Sequence, residues 1–484
     1  MINLFRTTVN PFRRGTSGPQ RIPLERPHLA QLAANEASLP QFVRDCPVAM
    51  KYLRLLAPLD WANFPERDES RPWPGSTPHP RAPYVAGYLV KLTEQKKYMS
   101  HLRQFLVEHP ALVWLLGFKL QPDPTARYGF EVAASVPSRK QLGRVLRELD
   151  NQALQFLLSS TVSLIAQHLP AEVAFGQEIS MDTKHIVAWV AENNPKAYIK
   201  ESDRLNKERQ PKGDRDCKLG CKKKYNQKKS SAQAEADPTP TTKKRATQFS
   251  SDQYFWGYNS GVVATKVPGY GEFVLAELSQ TFDKGDTTFF FPLMAATQAR
   301  LGFSPPFGAL DAAFDAWYTF DYFDQAGGFA AIPATERQPV KREFDAQGLP
   351  LCEAGLPMPL TSTFMNNRGL IPQQIGRYGC PLLFPEQTSP GCPIDHQKWP
   401  QGGCLLKMGT SPGPRLRYQL DRHSAAYKKL YNQRTANERV NSQAEALGIE
   451  RPKLRNEQAI ANQNTLIYIL INLRALHRLR SRST

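Results

Sequence analysis

In "GQEISMDTKHI" (176–186) an apolar alternation, with Ile179 and Met181 pointing one way, runs into a lone carboxylate at Asp182. A carboxylate at the end of a buried strand is costly unless it is paired or holds a cation, so something must sit opposite it. Two further acids invite the same question. Asp311 ends the short apolar run "PPFGALD", and Glu438 lies in "YNQRTANERVNS", where Tyr431, Arg434 and Glu438 are spaced i, i+3, i+7 and share one helix face. An Arg one turn before a Glu is, taken alone, a surface ion pair worth a few tenths of a kcal/mol. That reading covers any one of these residues but not the set.

The elements that must position them follow from periodicity. Residues 1–85 are rich in Pro and Arg and read as loops and short helices around "VAMKYLRLLA". Residues 86–170 read as helical. In "VPSRKQLGRVLREL", Ser138 and Gln141 form a capping box, Leu142, Val145, Leu146 and Leu149 follow helical spacing, and Arg139, Lys140, Arg144 and Arg147 take the outer face. Such a face is usually solvated; DNA contact is the alternative. From 172 the texture changes to strands: "EVAFGQEISMD", then "YFWGYNSGVVATKV" and "GEFVLAELSQ" joined by the turn "PGYG". A helix in "DTTFFFPLMAATQARLGF", a strand in "PPFGALD", a helix in "AAFDAWYTFDYFDQAGG" and a strand in "FAAIPAT" complete an α/β order. Residues 196–250 interrupt it as a basic, flexible loop, and residues 346–420, rich in Pro, Gly and Cys, as an insertion of short strands. Helix returns over 421–447 and stops at Gly448.

The chain carries 484 residues and a formal charge of +18. Net charges of +9 sit in each of two stretches, Lys196–Arg245 and Ser411–Thr484, and the remainder balances. Localised basicity points to a polyanion, because neutralising phosphates releases counterions irrespective of sequence; a membrane surface is the weaker alternative. "TLIYILINL" falls short of the ~20 apolar residues that a membrane span needs, and the N-terminus reads as no secretory signal. Seven cysteines are then expected as reduced thiols in a cytoplasmic, nucleoid-associated protein. "CKLGC" (217–221) has the spacing of a zinc pair, but Cys352, Cys380, Cys392 and Cys404 contain no close pair, so buried or idle thiols are expected. His185 is expected to make a strand or loop contact, and Asp315 and Asp321 to lie on a helix surface. No Walker motif is present, so nothing indicates ATP use.

With Tyr431, Arg434 and Glu438 as they stand, the chain resembles the DDE transposases of bacterial insertion sequences, in the group whose catalytic helix reads Tyr, two residues, Arg, three residues, Glu, six residues, Lys. The fourth position holds Glu445 instead of Lys, and Arg439 is the neighbour expected to take over its DNA-backbone contact. The resemblance runs from about Pro137 to the C-terminus. It implies a ribonuclease-H-like α/β catalytic core over 171–345 and 421–447. A mainly helical DNA-binding region over 1–170 precedes this core, the strand-rich insertion interrupts it, and a basic helical tail over 448–484 follows. It also implies Asp182, Asp311 and Glu438 as the metal-binding triad. Two Mg2+ ions (or Mn2+) about 4 Å apart activate water or a 3'-hydroxyl for in-line displacement at phosphorus, and such hard ions suit carboxylates. Tyr431 and Arg434 would contact phosphates near the cut, "RPKLRN" and "RALHRLRSR" the DNA backbone. Trp317 is either a core residue or a platform for a flipped base. The expected activity is cutting of element ends and their joining to target DNA by a homodimer on double-stranded DNA. The alternatives are a metal-dependent nuclease without strand transfer and an inactive or domesticated DNA-binding descendant.

Overall fold

The computed structural model describes residues 28–67, 79–222, 252–335 and 342–483. Between residues 28 and 168 the described residues are mainly helical. Pro47–Leu56, Arg81–Thr93, Met99–Glu108, Pro110–Leu116, Arg139–Glu148 and Asn151–His168 (α1) are its main helices, with one small hairpin between Gln121 and Glu131. Over Arg139–Glu148 the expected apolar stripe is buried and the four basic residues are exposed. The Ser138 hydroxyl accepts from the Gln141 amide at 3.2 Å. The reciprocal half of the capping box is not made, because the Gln141 side chain accepts from Arg144 instead.

The architecture is mixed α/β. β1 (Glu178–Val187), β2 (Gln253–Val267), β3 (Gly271–Thr281), α2 (Phe290–Leu301), β4 (Phe307–Ala309), α3 (Trp317–Gln325) and β5 (Phe329–Ala331) follow in the expected order. In space the strands run β3-β2-β1-β4-β5, antiparallel through β3, β2 and β1 and parallel through β1, β4 and β5. Ile179 and Met181 join α2 and α3 in one core, with Phe290, Leu293, Met294 and Phe323. Gly308 permits this close layer, since a Cβ there would lie 2.2 Å from the Phe323 ring. The expected flexible loop is partly ordered. Lys218–Lys222 pairs antiparallel with the start of β2, and the Trp256 indole donates to the Arg204 carbonyl at 2.9 Å. The run "SSAQAEADPTPTTKKRATQFSS" lies outside the described residues.

The insertion is a three-stranded antiparallel sheet of β6 (Leu360–Asn366), β7 (Gln373–Tyr378) and β8 (Leu406–Gly409), with β7 central. Its last expected residues are helical instead, as α4 (Pro412–Gln419). The single helix expected over 421–447 is two, α5 (Ala425–Tyr431) and α6 (Thr435–Ala446), joined through a 3-10 turn at Asn432–Arg434.

The C-terminal segment is no loose tail. α7 (Glu457–Ser483) spans 27 residues, and its Leu466–Ile471 stretch is buried in the same core as Leu53, Leu89, Leu142, Tyr258 and Val440. That one core crosses residue 170, so the helical region and the sheet are not separately cored. The apolar "TLIYILINL" is therefore an interior helix, and among the described residues no helix is long and apolar enough to cross a membrane.

Candidate active site

Helix α6 lies along β1 through two matched repeats. Gln433, Asn437, Asn441 and Glu445 recur every four residues; Glu178, Ser180, Asp182 and Lys184 recur every two. Four helical residues advance about 6 Å and two strand residues about 6.6 Å, so the two series stay in step. Gln433 donates to Glu178, Asn441 Nδ2 donates to Asp182 Oδ2 at 3.0 Å, and Lys184 donates to Glu445. Asp182 thus projects from the face opposite Ile179 and Met181, towards α6.

Asp182 lies within β1, which runs on to Val187 and does not end at the acid as expected, and Asp311 lies just past the end of the adjacent parallel β4, close enough for its charge to reach Asp182. Loss of solvent and the Asp311 charge push the Asp182 carboxyl from 3.8 up to about 6, with Asp286 adding and Arg434 opposing. Asp311 is raised by burial and by Asp286, and is held against further rise by the Ala313 amide, which donates to it at 2.9 Å, and by Arg434. Asp286, just before α2, accepts from the Thr183 hydroxyl at 2.8 Å. Asp311 and Asp286 therefore lie near enough to Asp182, and Asp286 to Asp311, for their charges to act on one another, and the Arg434 guanidinium counters Asp182 and Asp311.

That guanidinium is itself positioned. Arg434 Nη1 donates to the Tyr431 hydroxyl at 2.9 Å and lies 5.6 Å from the centre of its ring, while Tyr431 stacks on Tyr427 at 5.7 Å. Tyr431 so holds Arg434, whose charge acts on Asp182 and Asp311. Glu438 falls one turn beyond Arg434 on the same flank of the helix, and it is exposed. Among the described residues no group of three or more His, Cys, Asp and Glu side chains is gathered closely enough to hold a metal ion as it stands. The donor chemistry nevertheless suits a hard divalent cation. Half-buried carboxylates repel one another here, and beside them Asn441 Oδ1 and both amide atoms of Asn437 are buried without hydrogen-bond partners.

Other expected contacts are engaged within the protein. Glu445, in the position where a Lys was sought, answers Lys184, which also reaches Glu450 at 2.6 Å. Arg439 pairs with Glu272 of β3 at 2.5 Å, while its side chain stays 62% exposed. Lys453 and Arg455 of "RPKLRN" lie over the half-exposed Trp189 ring, at 5.4 and 4.8 Å. In "RALHRLRSR", Leu476 and Leu479 are buried, Arg480 meets His168 at 3.1 Å and Arg482 donates to the Gly269 carbonyl. Trp317 packs against the core of α2 and α3, edge-on to Tyr318. His185 contacts Asn259 at 2.8 Å within the sheet.

Asp315 and Asp321 correct the expectation of a helix surface. The Asp315 carboxylate is fully covered and takes two bonds from Arg417, at 2.7 and 2.6 Å, which hold it below its ordinary pKa. Asp321 is buried and accepts from the Gly413 amide at 2.5 Å. Both anchor α4, which covers the face of α3 that the sequence leaves as apparent surface.

Asp286, Asn441 and Lys184 escaped the sequence reading. Asn441 stands seven residues after Arg434 and was in principle recognisable; Asp286, in "KGDTT", looks like an ordinary helix start. The chain matches no known protein family, no curated protein and no solved structure.

Proposed function

We propose that the chain is a DDE-type DNA transposase with a ribonuclease-H-like core, cutting the ends of its element and joining them to target DNA. The observation that carries this reading is the approach of Asp182 on β1 to Asp311, just past the parallel neighbour β4, with Arg434 close enough to counter both carboxylates. Asp182, Asp311 and Glu438 would hold the cations, with Asp286 as an added charge that sequence did not flag. Bound there, Mg2+ or Mn2+ would supply the Lewis acid that activates a water or 3'-hydroxyl and stabilises the leaving oxygen. Arg434, kept in place by Tyr431, would receive a phosphate oxygen of the DNA, since a guanidinium suits phosphate geometry. Asn441 orients Asp182 by its hydrogen bond. The exposed Arg139, Lys140, Arg144 and Arg147 and the Lys453 and Arg455 pair would track the backbone, and pairing of two element ends calls for a dimer on DNA.

One observation favours a second reading, that of a DNA-binding descendant without cleavage: Glu445 is committed to Lys184 where the resembling enzymes place a DNA-contacting Lys. Incubation of the purified chain and Mg2+ with DNA carrying its gene and flanking ends separates the two. Cuts at the ends that disappear in Asp182→Ala, Asp311→Ala and Glu438→Ala, with DNA binding retained, fit the transposase; salt-sensitive binding without cuts fits the descendant. End cleavage without joined products identifies a nuclease.

A further inference from the structure

Four cysteines that look unrelated in sequence converge in the insertion. Cys352, Cys380, Cys392 and Cys404 are 28, 12 and 12 positions apart, yet all line one cavity of about 10 Å³, close to the room that a single water or ion takes. Cys380 and Cys404 are hydrogen-bonded thiols, and Cys352 is near enough to act on the Cys404 charge. Backbone geometry presents them. Cys352, Cys380 and Cys392 each open a tight turn, closed by the amides of Gly355, Leu383 and Asp395 donating to the cysteine carbonyls at 2.9, 3.1 and 3.1 Å. Cys404 is brought beside Cys380 by Gly403, where a Cβ would lie 2.6 Å from the Cys380 Cβ and where φ is +76°.

The insertion also has little apolar core to hold its loops. Its own core consists of Met358, Tyr378, Leu406 and Met408, a thin core for a segment of this length. Small units of this kind generally depend on disulfides or a metal, and here every cysteine is a free thiol. We propose that Cys352, Cys380, Cys392 and Cys404 bind one structural zinc ion that fastens the loops of the insertion to its sheet. Four thiolates in tetrahedral array are a preferred zinc environment, and soft sulfur disfavours Mg2+. The four cysteines line the cavity without three of them being gathered to hold a metal as they stand, so zinc would draw them inward. Cys217 and Cys221, the pair with zinc-like spacing, take no part: Cys217 is buried in the core shared by the sheet and the helical region and bonds to Asp214.

The full chain, purified without added zinc or chelator, tests this by metal analysis and by Co2+ exchange. The expected result is one zinc per chain that survives gel filtration, retention in Cys217→Ser/Cys221→Ser, and loss in Cys380→Ser/Cys404→Ser. Should that last variant fail to fold, the parent decides alone: Co2+ gives thiolate charge-transfer and tetrahedral d–d absorption, and a mercurial reagent releases zinc as four thiols react. A parent chain that neither contains nor takes up zinc, that contains iron instead, or whose zinc persists at full occupancy in Cys380→Ser/Cys404→Ser overturns the assignment.

Discussion

The neighbouring acids and the cysteine cluster are built in opposite ways. Asp182 lies on β1, Asp311 just past β4 and Arg434 at the start of α6, all elements that pack into large shared cores, so regular structure sets their positions. The four cysteines come from turns around a sheet with a core of a few side chains. A well-cored scaffold can carry carboxylates that repel one another, because packing elsewhere offsets the cost. A thinly cored segment needs its polar cluster to act as the fastening. The acids therefore burden the fold around them, whereas the thiols, once metallated, hold theirs together.

The sharpest way to break this contrast is to remove the acids one at a time. Asp311→Ala and Glu438→Ala should each lower metal-dependent DNA cleavage on the order of a thousandfold without lowering the melting temperature, while Asp286→Asn should cost only about tenfold. Steady-state cleavage rates beside thermal melts decide this. A loss of cleavage matched by a loss of folding would mean that the acids are structural.

Chelation should do the reverse. Stripping zinc should leave the sheet's melting intact but expose residues 346–420 to protease, since metal binding of this kind is folding free energy. Limited proteolysis with mass mapping reads the effect, and cleavage spread evenly over the chain would contradict it.

A third test uses pH. The Asp182 carboxyl is raised from 3.8 to about 6, so the folded state binds this proton more tightly than the unfolded chain. Ionisation then costs stability, in full above pH 6, and the cost fades as pH falls towards 4. Asp182→Asn, free of divalent ions, should stabilise the protein by about 3 kcal/mol at pH 8 and by less than about 1 kcal/mol near pH 4. A denaturant series at both values checks it; equal effects at the two would remove the electrostatic explanation.

The smallest expected effect concerns the Lys184 pair. Glu445→Lys restores the residue found in the resembling enzymes but sets it against Lys184, and should cost about 1 kcal/mol. Recovery in Lys184→Glu/Glu445→Lys, measured as a double-mutant cycle, would locate the cost in that pair.

The two regions also differ in how far sequence announces them. The order of strands and helices was legible because "YFWGYNSGVVATKV", "PGYG" and "GEFVLAELSQ" carry a strong local pattern, and Asp182 and Asp311 were legible as acids ending apolar runs. The break at Asn432–Arg434 was not, since a 3-10 turn keeps nearly the spacing of the helices that flank it. Nor was the interior placement of α7, whose basic residues sit among buried leucines. Asp315 and Asp321 looked like surface because what covers them, α4, is some 90 residues away. Cysteine convergence leaves no periodic trace at all, as turns and not repeats create it.

The most direct test of the central claim is the product chemistry of the parent chain, given Mg2+ and DNA bearing its gene with both flanks. The account predicts cuts at the two ends followed by joined 3'-end products, both abolished by Asp182→Ala. Absence of cleavage by the parent, or cleavage that survives Asp182→Ala, would contradict it.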